Sequence, residues 1–174
     1  MKNLLYIMVV LLLFGCNSEN KKTVFQEKYT GPLLEIDSVN TLLSDSAVTK
    51  MRIIAPKQFE FLNGDRTFPN GLKIIFYNPD GKEKSILTSN SGKYNKLTDI
   101  YTVIGKVVVQ NPAEKKKLTT EELNWSPKKE EVFTDKFVVI QTAEEVLKGN
   151  GLVAAQDFST YKILKVTGIF SAKQ

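Results

Sequence analysis

Between residues 47 and 170 the chain keeps switching between short extended runs and turns, and this punctuation limits the folds open to it. Asn78-Pro79-Asp80-Gly81 is the strongest turn. Proline presets the bend there, and glycine takes a positive φ without steric cost. Asn63-Gly64-Asp65 and Asn111-Pro112 mark two more. Between these turns the side chains alternate as they do along a strand. Met51, Ile53 and Ala55 share one side, with Arg52 opposite. Phe59 and Phe61 alternate with Gln58 and Glu60, and Leu72, Ile74 and Phe76 share a side opposite Lys73. Residues 86–94 form a more polar run, and 100–110 a β-branched, apolar one interrupted by Gly105. Further extended runs are expected at 118–125, 131–142, 151–155 and 161–170. Helix is scarce. Residues 143–147 suggest one helical turn, closed by Lys148-Gly149-Asn150, and 33–43 suits a weak helix or an irregular lead-in equally well. Many short strands with regular turns point to an all-β sandwich, jellyroll or barrel.

A weak internal repeat supports this. Residues 87–110, 118–141 and 147–170 each read as strand, turn and aromatic-led strand, with Tyr101, Phe133 and Tyr161 in similar places. The repeating unit is then a hairpin, stacked along one axis.

A sheet with one buried face should alternate cleanly between apolar and polar residues. Ile74-Ile75-Phe76-Tyr77 and Val107-Val108-Val109 are instead apolar on both sides. Two readings stand side by side: a double-sheet core, or an interior large enough to hold an apolar ligand. In either case Phe59, Phe61, Phe76, Tyr101, Val103, Val107, Val109, Leu123 and Trp125 carry the inward parity.

The N-terminus sets the compartment. An apolar stretch from Leu4 to Phe14 follows Lys2 and ends at Gly15-Cys16. A basic start, an apolar core and a small residue before the cut form a secretory signal. A cysteine directly after that cut is a lipoprotein processing site, with Cys16 acylated as the new N-terminus. Phe14 departs from the small or aliphatic residue usual in its slot. The stretch falls short of the roughly 20 apolar residues of a membrane span, which disfavours an uncleaved anchor. A secreted chain with a chance cysteine is the third alternative. The expected organisation is a signal peptide at 1–15, a lipidated tether at 16–32 and one folded domain at 33–174.

Composition removes whole classes of chemistry. The chain has no histidine, and Cys16 is its only cysteine. Ser/His/Asp and Cys/His catalysis and Cys/His zinc sites are therefore excluded. The net charge of +5 is compatible with an anionic partner. Lys115-Lys116-Lys117 and Lys128-Lys129 read as solvated turns, and no nucleic-acid recognition signature is present. Gly149-Asn150-Gly151 precedes a strand rather than a helix, so a tight turn or bulge fits it better than a phosphate loop. Glu35, Asp37, Asp45, Asp65, Asp80, Asp99, Asp135 and Asp157 fall mostly at turns. Turn formation accounts for them better than the paired acids of a glycosidase do.

Residues from about 43 to 170 resemble the LptC family, the periplasmic bridge component of lipopolysaccharide export. The match rests on Met51-Arg52-Ile53-Ile54-Ala55, on 87–94 followed by 100–109 with its central Gly105, on Leu118-Thr119-Thr120-Glu121-Glu122-Leu123 to Trp125 with Thr134-Asp135 after it, and on Gly149-Asn150-Gly151-Leu152. The resemblance implies a single twisted antiparallel β-jellyroll, elongated and open along one side. It implies an anchored carrier on the periplasmic face of the inner membrane, neither an enzyme nor cofactor-dependent. Lipopolysaccharide would come from the LptF/LptG/LptB transporter and pass to LptA, with docking by edge-strand addition. On this reading Phe59, Phe61, Phe76, Val103, Val107, Trp125, Val138 and Ile163 line the lipid path. The family usually keeps an N-terminal transmembrane helix; here acylated Cys16 would take over the tethering. Two rivals remain, an envelope lipoprotein with a lectin-like site and one with a purely structural role. A continuous apolar groove favours the carrier, a polar aromatic cleft the lectin, and a filled core the structural protein.

Overall fold

The computed structural model describes residues 29–45 and 47–171. The expected signal peptide, Cys16 and most of the 16–32 tether lie outside the described residues. The described part is a single antiparallel sheet of eleven strands. These are β1 Leu34–Asp45, β2 Val48–Glu60, β3 Arg66–Phe68, β4 Leu72–Tyr77, β5 Glu83–Ser89, β6 Ser91–Asn95, β7 Ile100–Asn111, β8 Lys116–Ser126, β9 Glu131–Gln141, β10 Glu145–Ala155 and β11 Tyr161–Ser171. A 3-10 turn, Pro127–Lys129, joins β8 to β9. The all-β jellyroll expectation holds. Residues 33–43 are neither weak helix nor irregular, because nearly all of them belong to β1. Residues 143–147 form no helical turn. The Thr142 hydroxyl instead accepts from the Glu144 and Glu145 amides, and β10 starts at once.

β1 pairs with β2, and β2 pairs along its length first with β4 and then with β3. β4 pairs with β5 and β3 with β6, while β5 and β6 both pair with β7. β3 and β4 are thus two halves of one interrupted strand, and so are β5 and β6. From β7 the sheet runs as a simple meander through β8, β9 and β10 to β11. Among the described residues no ladder joins β1 to β11. These two edges leave an open seam.

A row of irregularities crosses the sheet at its waist. Ser38 has φ of 59° and drops out of the β1–β2 ladder opposite Pro56. The break between β3 and β4 comes next, then the Asn90 break between β5 and β6, where the Asn90 amide donates to the Gly105 carbonyl at 2.9 Å. Register slips between Ile104 and Val107 in β7, between Thr120 and Asn124 in β8, and between Asn150 and Leu152 in β10. Gly105 sits at φ of 79°, in the left-handed region that favours glycine. Bulges bend a strand and sharpen its twist. Aligned across the sheet, they fold it along one line.

The fold brings distant ends together. Phe76, at the far end of β4, meets Trp125, at the opposite end of β8, edge to face with centroids 5.9 Å apart. The two layers therefore cross, as they do where strands turn a corner through bulges. Trp125 stacks on Tyr101 at 4.8 Å, and Tyr101 lies 4.5 Å from Tyr94. One buried cluster takes side chains from β1 to β10 and from the β10–β11 loop, with Tyr161 and Ile163 of β11 packed against it.

Gly149 shows how tightly the bulged strands approach. A Cβ there would lie 2.4 Å from the Lys165 carbonyl oxygen and 2.4 Å from a methyl of Ile163. The backbone contact cannot be relieved by a rotamer change. Gly149→Ala is expected to destabilise the fold by about 1–3 kcal/mol, the usual range for overpacking. Exposed Asn150→Ala should stay within roughly 0.5 kcal/mol of the parent. Urea unfolding of the two variants checks this, and equal midpoints would contradict the contact.

Candidate ligand-binding interior and end cavity

The inner face is built by alternation, whose phase shifts at the waist in β2, β8 and β10 and is kept in β7 and β9. Five of the expected path residues, Phe76, Val103, Val107, Trp125 and Val138, lie in the buried cluster, and Ile163 packs half-buried against it. Phe59 and Phe61 correct the expected parity. The inward residues of β2 are Met51, Ile53 and Ala55, and then Gln58 rather than Lys57. The phase changes at the waist, so Phe59 is half-buried outside the cluster, with Lys57 Nζ 5.7 Å from its ring centroid. Phe61 leaves the sheet altogether for the β2–β3 turn. Phe133 also faces away, and Val132 takes the inward place opposite Trp125.

The interior is filled by its own side chains. Ile74, Val107, Leu123, Val138 and Leu152 are 0% exposed. The β10–β11 loop closes it with Phe158, which is buried at φ of 60°. That loop is pinned from three directions. The Trp125 indole donates to Gln156 Oε1 at 2.9 Å, the Gln156 amide donates to the Glu130 carbonyl at 2.8 Å, and Lys84 Nζ donates to Asp157 at 2.7 Å. Burial pushes the Asp157 carboxyl up, but hydrogen bonds from Lys84 and Ser159 outweigh it and hold the group below its ordinary value.

An open pocket of about 920 Å³ lies at the end of the sheet where β1 begins. It is lined by Tyr29 to Gly31, the turn at 61–65, β3, β6 and the first part of β7, with Asn124 from β8. Phe61, Leu62, Tyr94 and Ile100 supply its apolar wall, and Arg66, Lys93, Asp65, Asn95, Thr102 and Asn124 its polar one. Arg66 shares the inward face with its ladder partner Tyr94 and with Phe68. Its guanidinium lies 5.4 Å from the Tyr94 centroid, so a cation caps the aromatic stack. Its Nε is 3.3 Å from Glu60 Oε2, yet this buried nitrogen has no hydrogen bond. Asp65 is committed to the turn, accepting from the Asn63 amide side chain and the Lys96 backbone. Among the described residues no group of acids forms a metal site, and no helix is long and apolar enough to cross a membrane.

The sequence patterns missed Arg66, Phe68, Tyr94 and Phe158. Phe68 and Arg66 sit in a three-residue strand too short to show a period, and Phe158 lies in a turn.

Fold and site together define an open-seamed antiparallel β-jellyroll with an apolar inner face. The sequence matches the family described as lipopolysaccharide-assembly, LptC-related, over residues 4–170, nearly the whole chain. The chain belongs to the LptC family, and so to the transport of lipopolysaccharide across the periplasmic side of the envelope. The comparison with curated proteins found no match.

Burial pushes the Tyr94 hydroxyl up from 10.0 to about 12, and its hydrogen bond to Asp99 adds to the shift. The folded state therefore holds this proton more tightly than the unfolded one. Stability is complete below pH 10.0 and declines as pH rises toward about 12. Tyr94→Phe should make that decline shallower, and Tyr101, raised mainly by burial, should supply the remainder. Urea unfolding across this window, with tyrosinate absorbance, checks the assignment. An unchanged slope would show that Tyr94 does not titrate in this way.

Proposed function

We propose that this chain carries lipopolysaccharide by its acyl chains along the inner face of the bent sheet. The observation behind the reading is an apolar inner face that continues through every layer and meets an unjoined seam between β1 and β11. Acyl chains entering at the seam would meet Leu43 and Ile36 from one edge and Ile163 and Tyr161 from the other, all half-buried against the core. Phe76, Val103, Val107, Trp125 and Val138 form the deeper wall of the same path. Each buried methylene contributes roughly 0.8 kcal/mol, so a few turns of acyl chain would bind usefully even at a partly open seam. Phe59 lies off this path, and Phe61 would meet the lipid only at the end cavity.

The anchor and partners complete the proposal. Cys16, acylated after signal cleavage, tethers the chain to the periplasmic face of the inner membrane. The LptF/LptG/LptB transporter delivers lipopolysaccharide, and LptA receives it. Both contacts use the unpaired edges of the sheet. One observation favours a second reading: the interior is filled, as a purely structural envelope protein would have it.

Photo-crosslinkers placed at Leu43 and Ile163 in the full chain, in cells, separate the two readings. Carriage predicts lipopolysaccharide adducts at both sites and few at Lys162, on the outer side of β11. Adducts at neither seam site, or equal adducts at all three, would leave the structural reading. Cys16→Ala should abolish labelling by a fatty-acid probe, and labelling that persists in this variant would rule out a lipid tether at Cys16.

A further inference from the structure

Phe158 closes the interior from a loop, residues 156–160, and not from a strand. We propose that this loop is a latched plug, which opens as a unit away from Trp125 and is held shut by the Lys84–Asp157 ion pair. The proposal rests on the lipid-carrying reading for what the opening admits, an acyl chain; the opening itself belongs to the unloaded chain.

Three observations carry it. The first is strain. Phe158 is 3% exposed at φ of 60°, in the left-handed region that bulky residues rarely occupy. Such a conformation persists only where the surroundings impose it. The second is the way the loop is held. Its polar ties to other elements are made at three separate points, Trp125 on β8, the Glu130 carbonyl before β9 and Lys84 on β5. Lys84 supplies the charged one. Asp157 divides its carboxylate between two tasks. Oδ1 accepts from the Ser159 amide and hydroxyl inside the loop, and Oδ2 accepts from Lys84. The Phe158 amide also donates to the Ala155 carbonyl at 2.9 Å. The turn therefore keeps its own bonds whether the latch is made or broken, as a body that moves whole must. It leads into β11, which among the described residues pairs with β10 alone. The third is the polarity of the wall. Ser85, next to Lys84 and opposite Phe76, is 0% exposed, and its hydroxyl has no hydrogen bond. Phe76 in turn meets Trp125, whose indole holds the loop. A buried hydroxyl left unsatisfied is costly, and water admitted behind a displaced plug would relieve it. The closed state thus carries two unfavourable features, which the latch offsets.

The test is hydrogen exchange, read by mass spectrometry on the full chain in phospholipid vesicles and corrected for intrinsic rates. Without added ligand, the Gln156 and Phe158 amides should exchange well ahead of the amides of β7 and β8, as local opening requires. Asp157→Asn keeps an acceptor for Ser159 and loses the charge that faces Lys84. It should speed exchange in the loop by roughly five- to tenfold, the range for a charged hydrogen bond that is partly screened by water, and leave β7 and β8 unchanged. Lys84→Met should do the same. The double variant should add nothing further, because both substitutions remove one interaction. Lipopolysaccharide added to the parent should speed the same loop amides. Loop amides no faster than those of β7 and β8, variants that speed exchange across the whole sheet or nowhere, or a loop unmoved by lipopolysaccharide while seam adducts form would each overturn the plug. The two readings fail separately. Seam adducts with an unmoved loop would remove only this inference, and a loop released by both variants in a chain without seam adducts would remove only acyl-chain carriage.

Discussion

Everything in this molecule depends on one geometric demand: a single sheet must bury one of its faces against itself. A flat sheet cannot do so, and ordinary twist alone spreads the rotation over many strands. Here the rotation is concentrated in the row of bulges and breaks that runs from Ser38 to Gly149. That row lets the layers cross, and the crossing is held by Tyr94, Tyr101, Trp125 and Phe76 in a continuous aromatic stack. Aromatic pairs in such geometries contribute about 0.5–1.5 kcal/mol each beyond their area. The buried polar groups near the bend are served locally. The Thr120 hydroxyl, for example, donates to the Phe137 carbonyl at 2.9 Å where the β8–β9 ladder is interrupted.

The same bend separates two kinds of surface. The inner face between the layers is apolar. The end of the sheet beside β1 gathers the charged and amide-bearing residues around a cavity. Both edges expose apolar side chains, Leu34 and Leu42 on β1 and Leu164, Val166, Ile169 and Phe170 on β11. β1 is in addition fastened from outside, where Lys57 bonds Glu35 and lies 3.4 Å from Asp37. Exposed apolar residues on an unpaired edge are a liability unless a partner covers them.

Strand positions could be read from the sequence because turns announce themselves. Asn78-Pro79-Asp80-Gly81 and Asn111-Pro112 each end a strand where expected, since their chemistry is local. β1 was not legible, because its apolar residues are spaced by a bulge at Ser38 and so fit no period of two. The opening of β10 reads as helix because Glu144, Glu145 and Leu147 are good helix formers, and only pairing with β9 overrides them. Inward residues were legible where a strand keeps its phase through the bend. Phe76, Val103, Val107 and Trp125 follow simple alternation, whereas Phe59 lies beyond a phase change that depends on its neighbours in the sheet. Family membership was legible from scattered motifs because it rests on their combination and order rather than on any one geometry.

The plug formed by Phe158 gives the interior a particular thermodynamic character. Because side chains already fill the interior, an acyl chain carried as proposed would exchange with residents instead of occupying vacant space. Burying a phenylalanine is worth about 1.5–3 kcal/mol, so the first two to four methylenes of the newcomer, at roughly 0.8 kcal/mol each, would only offset a displaced ring. Carriage on these terms would hold its cargo less tightly than an empty pocket of the same lining would, which suits relay better than storage.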